Sequence, residues 1–394
     1  MFTRQLITGL LLLLLSSPAV AQQTTSFEEA DAKSYALYNK ASWQELLDYG
    51  TGYLAEGGTD FIYLRLRMGY AAFMLGNYST ALKQYEAVLK KDSYQETAHY
   101  YSRLCRIYLN QAEQAEWHTK FLSAETKKAD KIMQSGFTKL GVEVSYKNTK
   151  YNNRGNGLYA RADIQTKLHR TIFMQHSVAI YNQTIAEAQL TAVQNNNQIA
   201  INQKEYYNKT MINAGSRIQV LLAYHYLKTP FNNYSYNNHT ALAGIRYNGN
   251  QISVQGDINV GSLSDTSVVQ ANLHLQTYPL GNMNFYTIST GSFRSREGKQ
   301  AFNFKQVVGG KVFSKLWLEG NITLGEFSNY FENDLLYVYN AIDLNKIKGG
   351  VTAYVTLSPK VTLQAGYTYE NRQFYKSIQT FSQHSITGGL SCKL

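Results

Sequence analysis

Only two cysteines occur among the 394 residues, Cys105 in the first half and Cys392 near the end. One pair so widely separated makes no disulfide framework, and two unpaired thiols are expected. Proline is scarce, with four in the chain and none between residues 27 and 133. Beyond Leu6 to Leu15 there is no long apolar run, so nothing after it can cross a bilayer as a helix. Gly-x-Ser-x-Gly, His-Glu-x-x-His, a phosphate-binding glycine loop and paired cysteine ligands are all missing. The expectation is therefore a protein that is not an enzyme, with no catalytic, cofactor-binding or metal-ligating residues.

What is present begins with an export signal. Met1-Phe2-Thr3-Arg4 is basic, the apolar run follows, and Ala19-Val20-Ala21 is a small-residue cleavage pattern. Residues 1–21 read as a secretory signal peptide. Composition then shifts near residue 135. From 22 to 135, 14 acidic residues face 13 basic ones; from 136 to 394, 13 face 24, an excess of eleven positive charges in the second segment. Residues 22–135 read as a periplasmic helical domain and residues 136–394 as an outer-membrane β-barrel.

The first domain carries apolar residues at helical spacing. Arg67 to Leu89 resembles a tetratricopeptide repeat: Gly69 lets two helices approach, Gly76-Asn77 makes the turn, and Tyr85 and Val88 face the partner helix. A weaker copy turns at Tyr38 to Trp43, and another runs from Glu96 to Phe121. Three helix pairs suffice to stack a continuous core. The module either plugs and stabilises the barrel mouth or docks another protein's segment, with Tyr70, Tyr100, Tyr101 and Trp117 as candidates for the docking surface.

The second domain alternates in polarity with period two. Leu158, Ala160, Ala162 and Ile164 oppose Tyr159, Arg161, Asp163 and Gln165; Ile252, Val254, Ile258 and Val260 oppose Ser253, Gln255, Asp257 and Asn259. In a closed barrel the apolar set meets lipid and the polar set meets the lumen. Turns alternate between short ones and longer polar ones such as Thr229 to Asn238, Ser295 to Gln300 and Glu326 to Tyr339. The expected fold class is α + β multidomain: tetratricopeptide-like helices followed by a transmembrane antiparallel barrel of about fourteen strands. Lumen-facing candidates are Arg161, Asp163, Lys167, Asp257, His274, Lys305, Glu319, Lys346, Lys348 and Glu370. Tyr146, Tyr181, Tyr224, Tyr226, Tyr278 and Tyr367 are placed for aromatic girdles at the membrane boundaries.

This order of signal peptide, repeats and barrel resembles the YaiO-type outer-membrane barrel family. It occurs on a larger scale in export porins for cellulose and poly-N-acetylglucosamine. The resemblance implies that the repeats engage a periplasmic protein partner while the barrel serves as a conduit. Three functions stay open: a channel or export conduit for polysaccharide or anionic solutes, a non-conducting scaffold or assembly protein with a plugged barrel, and a rim hydrolase. Outer-membrane lipid and lipopolysaccharide are the expected surroundings, and the spread of basic residues over a membrane fold argues against nucleic acid.

Overall fold

The computed structural model describes residues 25–151, 154–186, 198–231, 234–263, 265–341, 343–375 and 377–394; the expected signal peptide lies outside them. Helices α1 (Phe27–Asn39), α2 (Trp43–Ala55), α3 (Ile62–Met74), α4 (Tyr78–Lys91) and α5 (Glu96–Tyr108) pack as successive antiparallel hairpins. A short α6 (Ala112–Ala115) continues into a 3-10 helix (Glu116–Phe121), and α7 (Ala124–Ala129) ends the domain. Local chemistry fixes the ends. Ser26 and Glu29 form a capping box on α1, and the Asn77 side chain accepts from the Thr80 amide at the start of α4. Gly76, at φ 72°, supplies the left-handed step that closes α3.

Leu64, Leu82, Tyr85, Val88 and Leu109 are fully buried between the helices. Burying each such leucine or valine contributes roughly 1.5–3 kcal/mol. Gly69 is needed for close approach, because a Cβ there would lie 2.8 Å from ring carbons of Tyr85.

The rest of the chain is a closed barrel of fourteen antiparallel strands. These are β1 (Gly136–Thr149), β2 (Arg154–His169), β3 (Ile172–Ala186), β4 (Gln198–Asn213), β5 (Ile218–Phe231), β6 (Tyr234–Asn248), β7 (Ile252–Leu263), β8 (Thr266–Thr277), β9 (Phe285–Arg296), β10 (Lys299–Phe313), β11 (Leu316–Phe327), β14 (Leu344–Thr356), β15 (Val361–Gln373) and β16 (Thr380–Lys393). A separate two-stranded hairpin, β12 (Tyr330–Glu332) and β13 (Tyr337–Tyr339), lies between β11 and β14. Closure comes from β1 pairing with β16, Val142 opposite Leu390 and Val144 opposite Gly388.

The wall has the reverse of a soluble protein's burial. Along β7, Ile252, Ile258 and Val260 are exposed while Ser253, Gln255, Asp257 and Asn259 are buried. Val178, Ile245, Leu273, Phe302 and Ile386 continue the exposed apolar band around the barrel. An apolar belt outside a sheet without edges is the arrangement that satisfies every strand's backbone in hydrocarbon.

Three expectations change. Some turns expected to be long are short, because the strands run on: β9 and β10 are joined by Glu297-Gly298 alone, both with positive φ, as a two-residue hairpin turn requires. Likewise β5 and β6 extend to Phe231 and Tyr234. Tyr278 is no girdle residue; it is 2 % exposed and packs with Ala72, Leu82 and Tyr85 of the helices.

Gly69→Val should cost about 1–3 kcal/mol by overpacking against Tyr85. In the detergent-folded chain, helical ellipticity should melt at lower temperature while the heat-modifiable barrel mobility is unchanged; unaltered helix melting would contradict this packing.

Candidate functional site

The lumen is not an open pore, and the connection from β11 to β14 explains why. Expected as one of the longer polar connections, the β12–β13 hairpin instead turns inward. Phe331 and Leu335 are each 1 % exposed and pack on Phe173, Tyr207, Met211, Leu221, Leu242 and Val268 of the inner wall. The Tyr207 hydroxyl donates to the Asp334 carbonyl (2.9 Å), the Gln270 amide to the Phe331 carbonyl (2.8 Å), and His225 Nδ1 lies 2.8 Å from the Leu335 carbonyl. Contacts from β4, β5 and β8 at one segment place it inside the barrel.

Two carboxylates pin the hairpin. Glu332 gives one oxygen to Lys305 Nζ (2.5 Å) and the other to Lys348 Nζ (2.8 Å). Asp334 Oδ2 takes Lys209 Nζ (3.2 Å) and Arg246 Nη2 (3.3 Å), and its Oδ1 accepts from Gln255 (2.7 Å). Tyr337 donates to Glu143 at 2.9 Å, beneath the Arg161 guanidinium. The tip holds Asn333, Asp334 and Leu335 at φ 53°, 55° and 70°. Non-glycine residues there cost of order 1–3 kcal/mol each and persist only where surrounding contacts impose them.

The residues expected in the lumen divide into groups. Lys305 and Lys348 hold the hairpin directly, and Arg161 does so through Tyr337 and Glu143, 3.3 Å away. Asp163 lies 3.8 Å from Arg161. Asp257 and His274 lie beneath the tip: His274 Nε2 is 2.9 Å from Asp257 Oδ2 and its Nδ1 is 2.9 Å from Thr290 Oγ1, a row absent from any local sequence pattern. Asp257, His274 and Asp334 present ligand atoms within 4.8 Å of one another. Protein donors already engage the carboxylates, Asn259 and Asn272 at Asp257 Oδ1 and Gln255 at both aspartates. Glu319 accepts from the Tyr286 hydroxyl (2.8 Å), and Glu370 from Asn345 (3.0 Å) and Gln383 (2.6 Å). Lys167 instead reaches the helices, meeting Glu116 at 2.5 Å and the Met133 carbonyl at 2.6 Å. Lys346 is a correction: a register shift between Asn345 and Ile347 turns Asn345 inward and leaves Lys346 exposed, outside this inward set.

At the opposite rim the helices cover the mouth. The Ser79 hydroxyl donates to the Asn250 carbonyl (2.7 Å), its amide to the Gly281 carbonyl (3.0 Å), and Asn282 donates to the Gly76 carbonyl (2.9 Å). Arg217 grips Glu86 through Nε (3.1 Å) and Nη2, while fully buried Arg106 reaches Glu86 from inside the helical domain (3.5 Å). The cavity left at this junction, lined by Gln111, Gln114, Gln219, Arg246 and Tyr278 among others, is about 40 Å³, room for little more than a water.

The proposed docking aromatics are part of a ladder rather than separate platforms. Tyr70 contacts Tyr38, Trp43 and Tyr101 at 5.4–5.5 Å between ring centres, and Tyr101 stacks on Tyr85 at 5.4 Å. Tyr100 meets Tyr101 edge-on at 5.2 Å; Trp117 lies apart, under the Lys120 ammonium. All four are half-buried, so each contributes an edge to the surface and a face to the core.

Sequence reasoning missed Glu332, Asp334, Lys209 and Arg246. A signal was present: Tyr330-Phe331 and Leu335-Leu336-Tyr337-Val338-Tyr339 are too apolar for a solvated loop.

The fold defines a transmembrane β-barrel of the outer-membrane type. No protein-family model matches the chain, and no curated protein sequence matches it. Similar solved structures include the translocator domain of autotransporter NalP from Neisseria meningitidis (12 % identity, 73 % of this chain and 99 % of that one, TM-score 0.34). Others are the NanC porin (11 %, 65 % and 100 %, TM-score 0.37) and a bacterial polysaccharide outer membrane secretin (10 %, 66 % and 98 %, TM-score 0.41). These likenesses assign no cargo or partner to this chain.

The helical seat is acid-sensitive. His99 and His118 meet through their Nδ1 atoms at 2.9 Å. Burial pushes the His99 pKa down and, with Arg106 adding to it, the His118 pKa well down. The unfolded chain takes up these protons near the ordinary value of about 6.5. Stability is therefore level above that pH and falls below it, by up to about 1.4 kcal/mol per pH unit per ring, until the folded-state values are reached. Hydrogen exchange in α5 and the 3-10 helix of the whole protein should speed up between about pH 7.5 and about pH 5.5, apart from the intrinsic change in exchange rate; equal protection at both would contradict it.

Proposed function

We propose that the chain is an outer-membrane conduit closed at rest, whose helical domain lies in the periplasm and docks a protein partner. The observation that carries this reading is the inward hairpin: a segment outside the fourteen-strand wall fills the lumen, is fixed by ion pairs, and bends through a strained tip. A closure of this kind can leave without breaking a strand. Export by way of residues 1–21, the likeness of the repeats to the tetratricopeptide type and of the whole to the YaiO-type family, and a polysaccharide or anionic solute as cargo belong to the same proposal. No catalytic step is assigned; the Asp257, His274 and Thr290 row braces the wall below the hairpin. The docking surface would be the ladder of Tyr70, Tyr100 and Tyr101 across the helix hairpins.

A second reading, a non-conducting scaffold, draws on the apolar cluster inside the lumen, which packs Phe331 and Leu335 as a soluble core would.

Planar bilayers separate the two. The native chain should be closed for most of the record, and a variant in which a short Gly-Ser turn replaces residues 330–339 and Arg217→Gln/Lys167→Gln loosens the helical seat should give steady, large currents. A folded variant that stays silent at every voltage would leave the scaffold reading standing and remove the conduit.

A further inference from the structure

We propose that the hairpin is a built-in stand-in for the cargo, and that Lys305 with Lys348 and Lys209 with Arg246 form two clamps for carboxylate groups of an acidic solute. The inference rests on the closed-conduit reading and adds the chemistry of what passes. Its starting point is how the four cations are satisfied. Among the described residues each has a single salt-bridge partner, and that partner is on the hairpin: Glu332 for the first pair, Asp334 for the second. Other cations of the inner wall are matched without the hairpin, as Arg161 is by Glu143 and Arg372 by Glu370.

Withdrawal of the hairpin therefore strips the carboxylates from these four side chains and, among the described residues, from no other wall cation. Four positive charges would then face a confined, water-filled lumen, where they raise the local concentration of anions. The open state thus favours anions, and the geometry says which kind. Glu332 divides its two oxygens between two ammonium groups, and Asp334 gives one oxygen to two cations and the other to the Gln255 amide. The first clamp thus engages both oxygens of a planar monoanion, and the second does so together with Gln255. Glu332 and Asp334 are two residues apart on the hairpin, which keeps their Cα atoms within about 7 Å of each other. A solute that repeats a carboxylate at short intervals, as an oligomer of uronic acid does, can fill both. Hairpin and cargo then compete for the same cations, and the more tightly the cargo binds, the more it favours the open barrel.

The experiment uses whole protein in planar bilayers, with the 330–339 replacement and, in parallel, full-length Glu332→Gln/Asp334→Asn, both carrying Arg217→Gln/Lys167→Gln at the helical seat. The replacement should conduct steadily and the double substitution, which keeps the apolar anchor of Phe331 and Leu335, in bursts, both with anions preferred over cations by roughly tenfold, the lower end of what a charged cleft achieves. Trigalacturonate should block the chloride current while maltotriose, of similar size and uncharged, does not. Lys305→Gln/Lys348→Gln in the replacement background should weaken that block by about tenfold, the loss expected when one clamp's interaction is removed. Sulfate blocking as strongly as trigalacturonate would overturn the carboxylate assignment in favour of a general anion site. Conduction without anion preference or block would overturn this inference and leave the conduit intact. Silence from both variants would remove the conduit and this proposal together, and if the replacement fails to fold the double substitution alone decides.

Discussion

Everything in this molecule follows from the requirement that backbone amides and carbonyls in hydrocarbon be paired. Strand β16 returning to β1 meets it, since a sheet of fourteen strands with no edge leaves no backbone group facing lipid unpaired. Once the sheet is closed, the two-residue period separates its faces. Val142, Val178 and Ile258 go to lipid, while Glu143, Ser177 and Asp257 share an interior that must satisfy them. The interior is where this protein departs from a simple pore.

A barrel of this size has space inside, and the chain fills it from both ends. One mouth is seated on helices held by Arg217 to Glu86 and Lys167 to Glu116. From the other side comes the hairpin, which joins an apolar anchor to two charged ones. The two kinds of anchor have different physical character. Phe331 and Leu335 are held by packing, which is indifferent to sign of charge, whereas Glu332 and Asp334 depend on cations that any competing anion can take. On the proposed reading, a closure built from both is firm when undisturbed and yields to a solute that competes for those cations.

The sequence made the wall legible because one period governs it: β7 could be read residue by residue, and counting the alternating segments gave about fourteen strands. The stacked helices were legible for the same reason, with Gly69 and the Gly76-Asn77 turn standing where close packing needs them. The direction of the β11 to β14 connection was not, since no period distinguishes a loop that leaves the barrel from one that enters it. Its clue was composition, five apolar residues running from Leu335 to Tyr339. Lys346 was misplaced because a bulge shifts the alternation by one, which periodicity alone does not reveal. Tyr278 was misplaced because a turn tyrosine reads alike whether lipid or a helix awaits it. The histidine row of the lumen comes from three neighbouring strands and has no linear trace.

The central claim is that the 330–339 hairpin occupies the lumen, and thiol accessibility tests it most directly. Cysteine placed at position 335, in a background with Cys105 and Cys392 replaced by serine, should react slowly with a charged, membrane-impermeant maleimide in intact outer membranes. The same reagent should modify Lys150→Cys, on an exposed rim connection, quickly. Equal rates at the two positions would mean that the tip lies in solvent, and the account of a closed lumen would be wrong.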